Sequence, residues 1–202
     1  MHDALALAKR AQSLDPLRHN INDNLGKVYL LLGDDENALH HLTVGGEQGM
    51  NGDMHWVMLG LAFKRLGDID GVRITAENAV ESMELPGSYV QMMVDLADNT
   101  TGARHMSPSE LDELPPLLRF DICIRANQFD CARQSFLSRM QETSNTPAFS
   151  LLWLEEARPL RQQTGFEAWL ESWANWPALM AYWTTDGWPE ACPKSINSLD
   201  CS

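Results

Sequence analysis

The stretch Asn22-Asp-Asn-Leu-Gly-Lys-Val-Tyr29 recurs 34 residues later as Trp56-Val-Met-Leu-Gly-Leu-Ala-Phe63. Both copies continue into the same turn, which is Gly33-Asp34 in the first and Gly67-Asp68 in the second. Glycine readily takes the left-handed backbone conformation that ends a helix, so each turn predicts a helix stop. A period of this length predicts an array of helix-turn-helix units.

The two copies resemble the tetratricopeptide family. The matching positions are Leu25, Gly26, Tyr29, Gly33, Ala38 and Leu42, and then Leu59, Gly60, Phe63, Gly67, Val72, Ala76 and Ala79. A small residue at Gly26 or Gly60 is expected to let the neighbouring helix approach, and a large one at Tyr29 or Phe63 to fill the space beside it. The resemblance covers residues 1 to about 98 and implies an all-α fold, a tetratricopeptide-like array of helical hairpins.

The register also predicts the domain organisation. A partial repeat at 1–18 precedes repeats at 19–52 and 53–86, and a further partial repeat at 87–102 completes the array. The chain thus opens in mid-repeat, with residues 4–11 reading as a second helix that Pro16 ends. Residues 103–202 are predicted to form a degenerate helical repeat followed by an irregular, tryptophan-rich cap.

The composition favours a soluble, helical and acidic chain. Acidic residues outnumber basic residues by 28 to 15, for a net charge of -13. Such a chain repels phosphate, so direct binding of nucleic acid by this segment is not expected. No window reaches the roughly 18–20 consecutive apolar residues of a membrane span, so any membrane attachment would come from an upstream segment.

Repeat arrays bind partners mainly along the face formed by the first helix of each hairpin. In the family register, the candidate groove positions are Asn20, Asp23, Asn24, Lys27, Met54, Val57, Met58 and Lys64. The expected ligand is a protein or peptide. A small signal molecule and self-association into a homo-oligomer are further options.

The second half reads as helical but irregular. Ser107 and Glu110 form a capping box before a short helix, and Pro115-Pro116 can open the next one. Residues 126–132 have the shape of a repeat turn, with Asn127 in the glycine position. A further helix is predicted from Phe149 to about Ala157, with a break or a new start at Pro159, and an amphipathic helix is predicted over 166–173.

The C-terminus carries a second resemblance. Ala157-Arg-Pro-Leu-Arg161, Phe166-Glu-Ala-Trp-Leu170, Ala181-Tyr-Trp183, Gly187-Trp-Pro-Glu-Ala-Cys192 and the final Cys201 look like the tail of a group of bacterial regulators. In these ToxR-like proteins, tetratricopeptide-like repeats follow a winged-helix DNA-binding domain, often across a membrane span. This chain contains neither of those two parts, so the resemblance implies DNA binding only for a larger parent protein.

The four cysteines fall into two local pairs. Cys192 and Cys201 flank a short loop that a disulfide can close, and Cys123 and Cys131 lie on either side of a predicted helix corner. An even count in local pairs favours an oxidising compartment, here the periplasm, with the cytoplasm as the alternative. Cys123 also fits as a buried small residue on its helix stripe. Zinc is disfavoured, because Cys192 and Cys201 lack tight spacing and nearby histidines.

Catalytic, metal and cofactor chemistry are not indicated. His40 and His41 are adjacent and project about 100° apart on a helix, so they are not expected to share an ion. The sequence has no phosphate-cradling glycine loop and no nucleophile motif. Six of the seven tryptophans lie at 153 or later, where they are expected to cover the last repeat, with a ligand pocket as the alternative.

The sequence therefore predicts a non-enzymatic interaction or sensing domain. The favoured setting is the periplasmic part of a membrane-associated winged-helix regulator. A free-standing adaptor that binds a peptide in its groove is the alternative. An enzyme with an unrecognised site in the tryptophan-rich half is a third, weaker reading.

Overall fold

A computed structural model describes residues 2–98, 108–142 and 146–172, and these residues form an all-α structure without strands. The helices are α1 His2–Leu14, α2 His19–Leu31, α3 Asp35–Glu47, α4 Asp53–Arg65, α5 Ile69–Met83, α6 Ser88–Ala97, α7 Pro108–Asp112, α8 Pro116–Arg125, α9 Phe129–Glu142, α10 Arg158–Arg161 and α11 Phe166–Glu171. Two 3-10 segments, Thr146–Trp153 and Glu155–Ala157, lie between α9 and α10.

Helices α1 to α6 pack in the order of the chain, each against the next. Helices α2 and α3 fall within the predicted repeat 19–52, and α4 and α5 fall within 53–86. The all-helical prediction is thus confirmed. The division of the chain at residue 102 stays a prediction, since α8 also packs against α4 and α6.

Three helical hairpins turn through the same backbone geometry. The second residue after each first helix lies in the left-handed region, with φ of 76° at Gly33, 75° at Gly67 and 56° at Asn127. In each case the amide of the next residue donates to the carbonyl five residues earlier, at 3.0 Å for Asp34 to Tyr29, 3.0 Å for Asp68 to Phe63 and 2.8 Å for Gln128 to Cys123. Asparagine tolerates this conformation, so the prediction that Asn127 replaces glycine is confirmed.

The second half follows the sequence prediction in part. Helix α8 begins at Pro116 and α11 begins at Phe166, as the proline pair and the aromatic spacing predicted. The predicted α-helix from Phe149 to Ala157 is wrong, because the chain forms two 3-10 segments there. Pro159 sits in the first turn of α10, where a missing amide hydrogen costs nothing.

One apolar core runs through the described residues. It extends from Leu25 in the first hairpin, through Met58 and Leu118, to Leu170 in α11. Helix α4 lies at its centre, and every residue from His55 to Ala62 is buried. No helix among the described residues has the length and apolarity needed to cross a bilayer.

Candidate functional site

The face of α2 that the repeat register assigns to the groove is polar and partly accessible. Asn24 is exposed, and Asn20 and Lys27 are half-buried. The Oδ1 atom of Asn20 is buried and accepts no hydrogen bond. Because these three residues are spaced by four and three, they lie on one face of the helix. The arrangement can supply side-chain amides to a polar ligand, whereas the Lys27 ammonium is paired with Asp23.

Asp23 does not face a ligand, contrary to the prediction. Its side chain is fully buried, forms an ion pair with Lys27, and lies 2.8 Å from His55 Nδ1 through Oδ1. Burial alone would raise the pKa of Asp23, but the hydrogen bond with His55 and the Lys27 ammonium together hold it below its usual range. Asp23 thus joins α2 to α4 instead of lining a groove.

Two adjacent glycines in α3 make room for this buried pair. A Cβ at Gly45 would lie 3.1 Å from the Asp23 backbone nitrogen, and a Cβ at Gly46 would lie 3.1 Å from His55 Nε2. Glycine weakens a helix interior, so its presence at both positions indicates a packing requirement. The pair Gly45-Gly46 was the feature of the sequence that indicated close packing here. The repeat register alone did not predict the contact between Asp23 and His55.

The equivalent face of α4 is closed, so the predicted groove positions there need correction. Val57 is 1% exposed, Met58 is fully buried and Met54 is half-buried. Helix α8 packs against α4 and presents its own apolar residues, including Leu117 and Leu118, to the core. Val57 and Met58 are therefore part of the core and do not line an open groove.

The sequence contained a signal for this difference. Positions 34 residues apart are equivalent, so Asn20 corresponds to Met54, Asp23 to Val57, and Asn24 to Met58. Each pair is polar on α2 and apolar on α4. Apolar residues are placed where a surface is covered, so the change in polarity marks an internal interface.

Arg65 at the end of α4 forms an ion pair with the second half of the chain. Its Nε and Nη2 atoms donate to the two carboxylate oxygens of Glu156 at 3.0 and 2.7 Å. Its Nη1 atom donates to the Leu30 carbonyl at 2.9 Å and to Asp35 Oδ1 at 3.2 Å. Burial would raise the pKa of Glu156, but these contacts with Arg65 lower it. Neither Arg65 nor Glu156 was predicted, because their contact spans 91 residues.

Lys64 lies beside charges of the chain's own second half. It is half-buried, and burial followed by the nearby Arg125 guanidinium lowers its pKa. Arg125 forms a buried ion pair with Asp121, with 2.8 Å between Nη2 and Oδ2. Burial raises the pKa of Asp121 despite this partner. The prediction that Lys64 faces a partner is therefore not favoured by its surroundings.

The structure joins Cys123 and Cys131 in a disulfide, with 5.8 Å between the two Cα atoms. These cysteines occupy the third corner where Phe63 and Gly71 occupy the second, four residues before and after the left-handed residue. The Phe63 ring fills the space that a Cβ at Gly71 would need. A covalent bond thus takes the place of an aromatic packing contact. Cys192 and Cys201 lie outside the described residues.

The tryptophans and histidines show packing contacts where the structure describes them. Trp169 packs edge-on against Phe136 with ring centroids 5.8 Å apart, and His41 stacks on Tyr29 at 5.4 Å. Trp173, Trp176, Trp183 and Trp188 lie outside the described residues. Within 2–98, 108–142 and 146–172, no group of three or more His, Cys, Asp or Glu side chains is placed to hold a metal ion.

A recess of about 480 Å³ opens at the third corner, beside Cys131. Its lining is mostly polar and includes Asn127, Asp130, Arg133 and Gln163. Ligand pockets are usually mostly apolar, so the polar lining of this recess does not favour a small-molecule site.

Comparisons with models of known protein families, with curated proteins and with solved structures find no match to this chain.

Proposed function

We propose that this chain is a non-enzymatic interaction or sensing module of the tetratricopeptide type, and that its open binding surface is the α2 face formed by Asn20, Asn24 and Lys27. The in-phase repeats and the shared corner geometry support the tetratricopeptide arrangement. The observation that carries the binding role is the contrast between α2 and α4. Asn24 is exposed on α2, whereas the equivalent Met58 on α4 is fully buried. Lys27 is half-buried on α2, whereas the equivalent Leu61 on α4 is 1% exposed.

The ligand class follows from the side chains on that face. Side-chain amides donate to carbonyls and accept from N–H groups, and a peptide backbone supplies both. The favoured partner is therefore a protein or peptide segment, and a small polar signal is the second option. A change in partner binding would act by shifting the association or orientation of whatever is attached to this module.

The favoured setting is the periplasmic part of a bacterial membrane-associated winged-helix regulator. The tail motif Gly187–Cys192 supports it, as does the disulfide between Cys123 and Cys131, because disulfides persist in oxidising compartments. The net charge of -13 argues against nucleic-acid contact by this segment. A free-standing peptide-binding adaptor is the alternative, and the open α2 face fits it equally well.

The binding surface can be tested with a matched pair of substitutions. Asn24→Trp places a large ring on the exposed α2 face, and Asn78→Trp places the same ring on an exposed position of α5. After crosslinking in cells, Asn24→Trp should lose the partner proteins that the unchanged chain and Asn78→Trp retain. Equal retention by both variants would remove the α2 face from consideration.

Two further observations separate the regulator from the adaptor. The regulator requires a coding sequence for a winged-helix domain upstream of residue 1, and an adaptor does not. The periplasmic setting predicts fewer than four free thiols on the denatured, unreduced protein, which has four cysteines. Four free thiols in protein taken directly from cells would indicate the cytoplasm.

A further inference from the structure

The disulfide at the third corner has one buried end and one accessible end. Cys123 is fully buried in the core, whereas Cys131 is half-buried. Cys131 is also one of the residues that line the recess of about 480 Å³. A thiolate that arrives from solvent can therefore reach the Cys131 sulfur through the recess, while the core shields the Cys123 sulfur.

The two cysteines also differ in how well their surroundings stabilise a thiolate. Cys131 is the third residue of α9, which begins at Phe129, and Cys123 lies in the last turn of α8, which ends at Arg125. The first turn of a helix favours a negative charge and the last turn disfavours it. Burial in the core disfavours a thiolate of Cys123 further. Cys131 is therefore the sulfur that can leave or attack as a thiolate.

The lining of the recess suits a peptide segment. Its polar members include Asn127, Gln128, Gln163 and Thr164. Side-chain amides and hydroxyls donate to carbonyls and accept from N–H groups, and a peptide backbone supplies both. Because this polarity does not favour an apolar small molecule, the co-reactant that the recess fits best is a cysteine carried on a loop of another protein.

The corner can keep its backbone conformation when the bond is open. The same left-handed residue and the same amide-to-carbonyl hydrogen bond occur at Gly33 and at Gly67. The hairpins formed by α2 with α3 and by α4 with α5 contain no cysteine. The third hairpin without its disulfide is therefore a weakened hairpin, in which the two sulfurs stay close enough to join again.

We propose that Cys123 and Cys131 form an exchange disulfide, which a protein dithiol opens by attack at Cys131. In the first step, a thiolate of the dithiol bonds to the Cys131 sulfur and the bond between Cys131 and Cys123 breaks. Cys123 leaves as a thiolate and takes up the proton that the attacking thiol lost. The product of this step is a mixed disulfide at Cys131.

In the second step, the other thiol of the partner attacks the partner's own sulfur in the mixed disulfide. Cys131 then leaves as a thiolate, and the partner becomes a disulfide. Two electrons pass from the dithiol to the cysteine pair, and the reverse steps with the oxidised partner close the bond again. The inference does not depend on the binding role of the α2 face.

The exchange would alter a hairpin that contacts both halves of the molecule. Helix α8 packs against α4 and α6 as well as against α9. A disulfide stabilises the segment that it closes, so opening it weakens the hairpin of α8 and α9 selectively. The redox state of the cysteine pair is thereby coupled to the packing of α8 on α4.

Trapping of the mixed disulfide tests the proposal on the full 202-residue chain. Cys192→Ser and Cys201→Ser are introduced together, so that the pair of Cys123 and Cys131 remains. The probe is thioredoxin whose second active-site cysteine is replaced by serine, because it cannot complete the second step. We expect an adduct in native buffer, and peptide mapping should place it at Cys131. An adduct at Cys123, or one that forms only in urea, would overturn the proposal.

A matched pair of substitutions tests the path through the recess. Thr164→Trp places a large ring in the recess, and Gln162→Trp places the same ring on an exposed neighbour that does not line it. Thr164→Trp should slow reduction by intact, reduced thioredoxin at least about tenfold, because the exchange rate depends on access to the attacked sulfur. Gln162→Trp should leave the rate unchanged, and circular dichroism checks that both variants fold.

Two outcomes of the rate measurement would contradict the proposal. Equal rates for the two tryptophan variants would show that the dithiol does not enter through the recess. A reduction rate no faster than global unfolding, measured in the same buffer by hydrogen exchange, would show that the bond opens only in the unfolded chain.

Discussion

Gly26 and Gly60 occupy the same position in the two repeats, but their surroundings differ. A Cβ at Gly26 would lie 2.6 Å from Leu42 Cγ and 2.9 Å from the Leu42 backbone nitrogen. A Cβ at Gly60 would meet only Thr75 Cγ2, at an ordinary 3.8 Å. The expectation that both glycines permit close approach is therefore right for Gly26 and wrong for Gly60.

The same substitution should have opposite effects at these two positions. Gly26→Ala should destabilise the fold by about 1–3 kcal/mol, because the neighbouring backbone must move. Gly60→Ala should stabilise it by about 0.5–1 kcal/mol, because alanine is the better helix former and has room. Urea unfolding of both variants measures the two changes. If both substitutions changed the free energy of unfolding in the same direction, the two glycines would not differ in how closely the neighbouring helix approaches.

The buried carboxylate of Asp23 should make stability depend on pH. Because its pKa is lowered in the folded state, it contributes stability that is present above the unfolded-state pKa of about 3.9 and is lost as pH falls through the folded value. Asp23→Asn removes this charge and should cost about 1–3 kcal/mol at pH 7.

The difference between the two proteins should stay constant from pH 7 to about pH 4 and then shrink as Asp23 protonates. Urea titrations at several pH values measure it. A difference that grows on acidification would contradict the assigned direction.

At the scale of helices, the three corners share one backbone conformation but differ in their side chains. Two corners hold glycine in the left-handed position, and the third holds Asn127. The first helix is held against the second by Phe63 over Gly71 in one hairpin and by the disulfide of Cys123 and Cys131 in another. The third hairpin therefore relies on a covalent bond where the second relies on packing.

Removing that bond should weaken the third hairpin. The disulfide closes a loop with a sequence separation of 8, for which chain entropy predicts about 2–3 kcal/mol of stabilisation. Cys131→Ser should lose this amount and should expose the α8 and α9 amides to hydrogen exchange before those of α2 and α3. If protection from hydrogen exchange fell equally in all helices, the disulfide would not stabilise the third hairpin locally.

At the scale of the whole molecule, α4 is the helix on which both halves meet. Its buried face contacts α8, and Arg65 at its end binds Glu156 from the segment before α10. Removing one partner of a buried ion pair leaves the other charge uncompensated, which is the costly outcome.

Arg65→Met should therefore destabilise the molecule by about 1–3 kcal/mol, because the pair is only partly buried, with 16% and 18% side-chain exposure at Arg65 and Glu156. Arg73→Met is the control, since Arg73 forms comparable ion pairs with Asp70 and Glu77 on an open helix surface, where such pairs contribute little. Thermal unfolding compares the two. Separate unfolding transitions for the two halves of the Arg65 variant would show that this contact couples them. Equal unfolding temperatures for the Arg65 and Arg73 variants would show that Arg65 does not have this role.

The sequence alone determined the features that repeat or depend on near neighbours. The period of 34 residues, the glycine turns, the replacement of glycine by Asn127 and the helix starts at Pro116 and Phe166 are all local, because helix and turn preferences act within a few residues. Only the tertiary structure decided which of the predicted groove positions are buried. Val57 and Met58 are buried in α4, a helix that packs against α8 about 60 residues further on, and the Asp23–His55 and Arg65–Glu156 contacts span 32 and 91 residues. Such contacts depend on how distant helices pack, and no local preference encodes that packing.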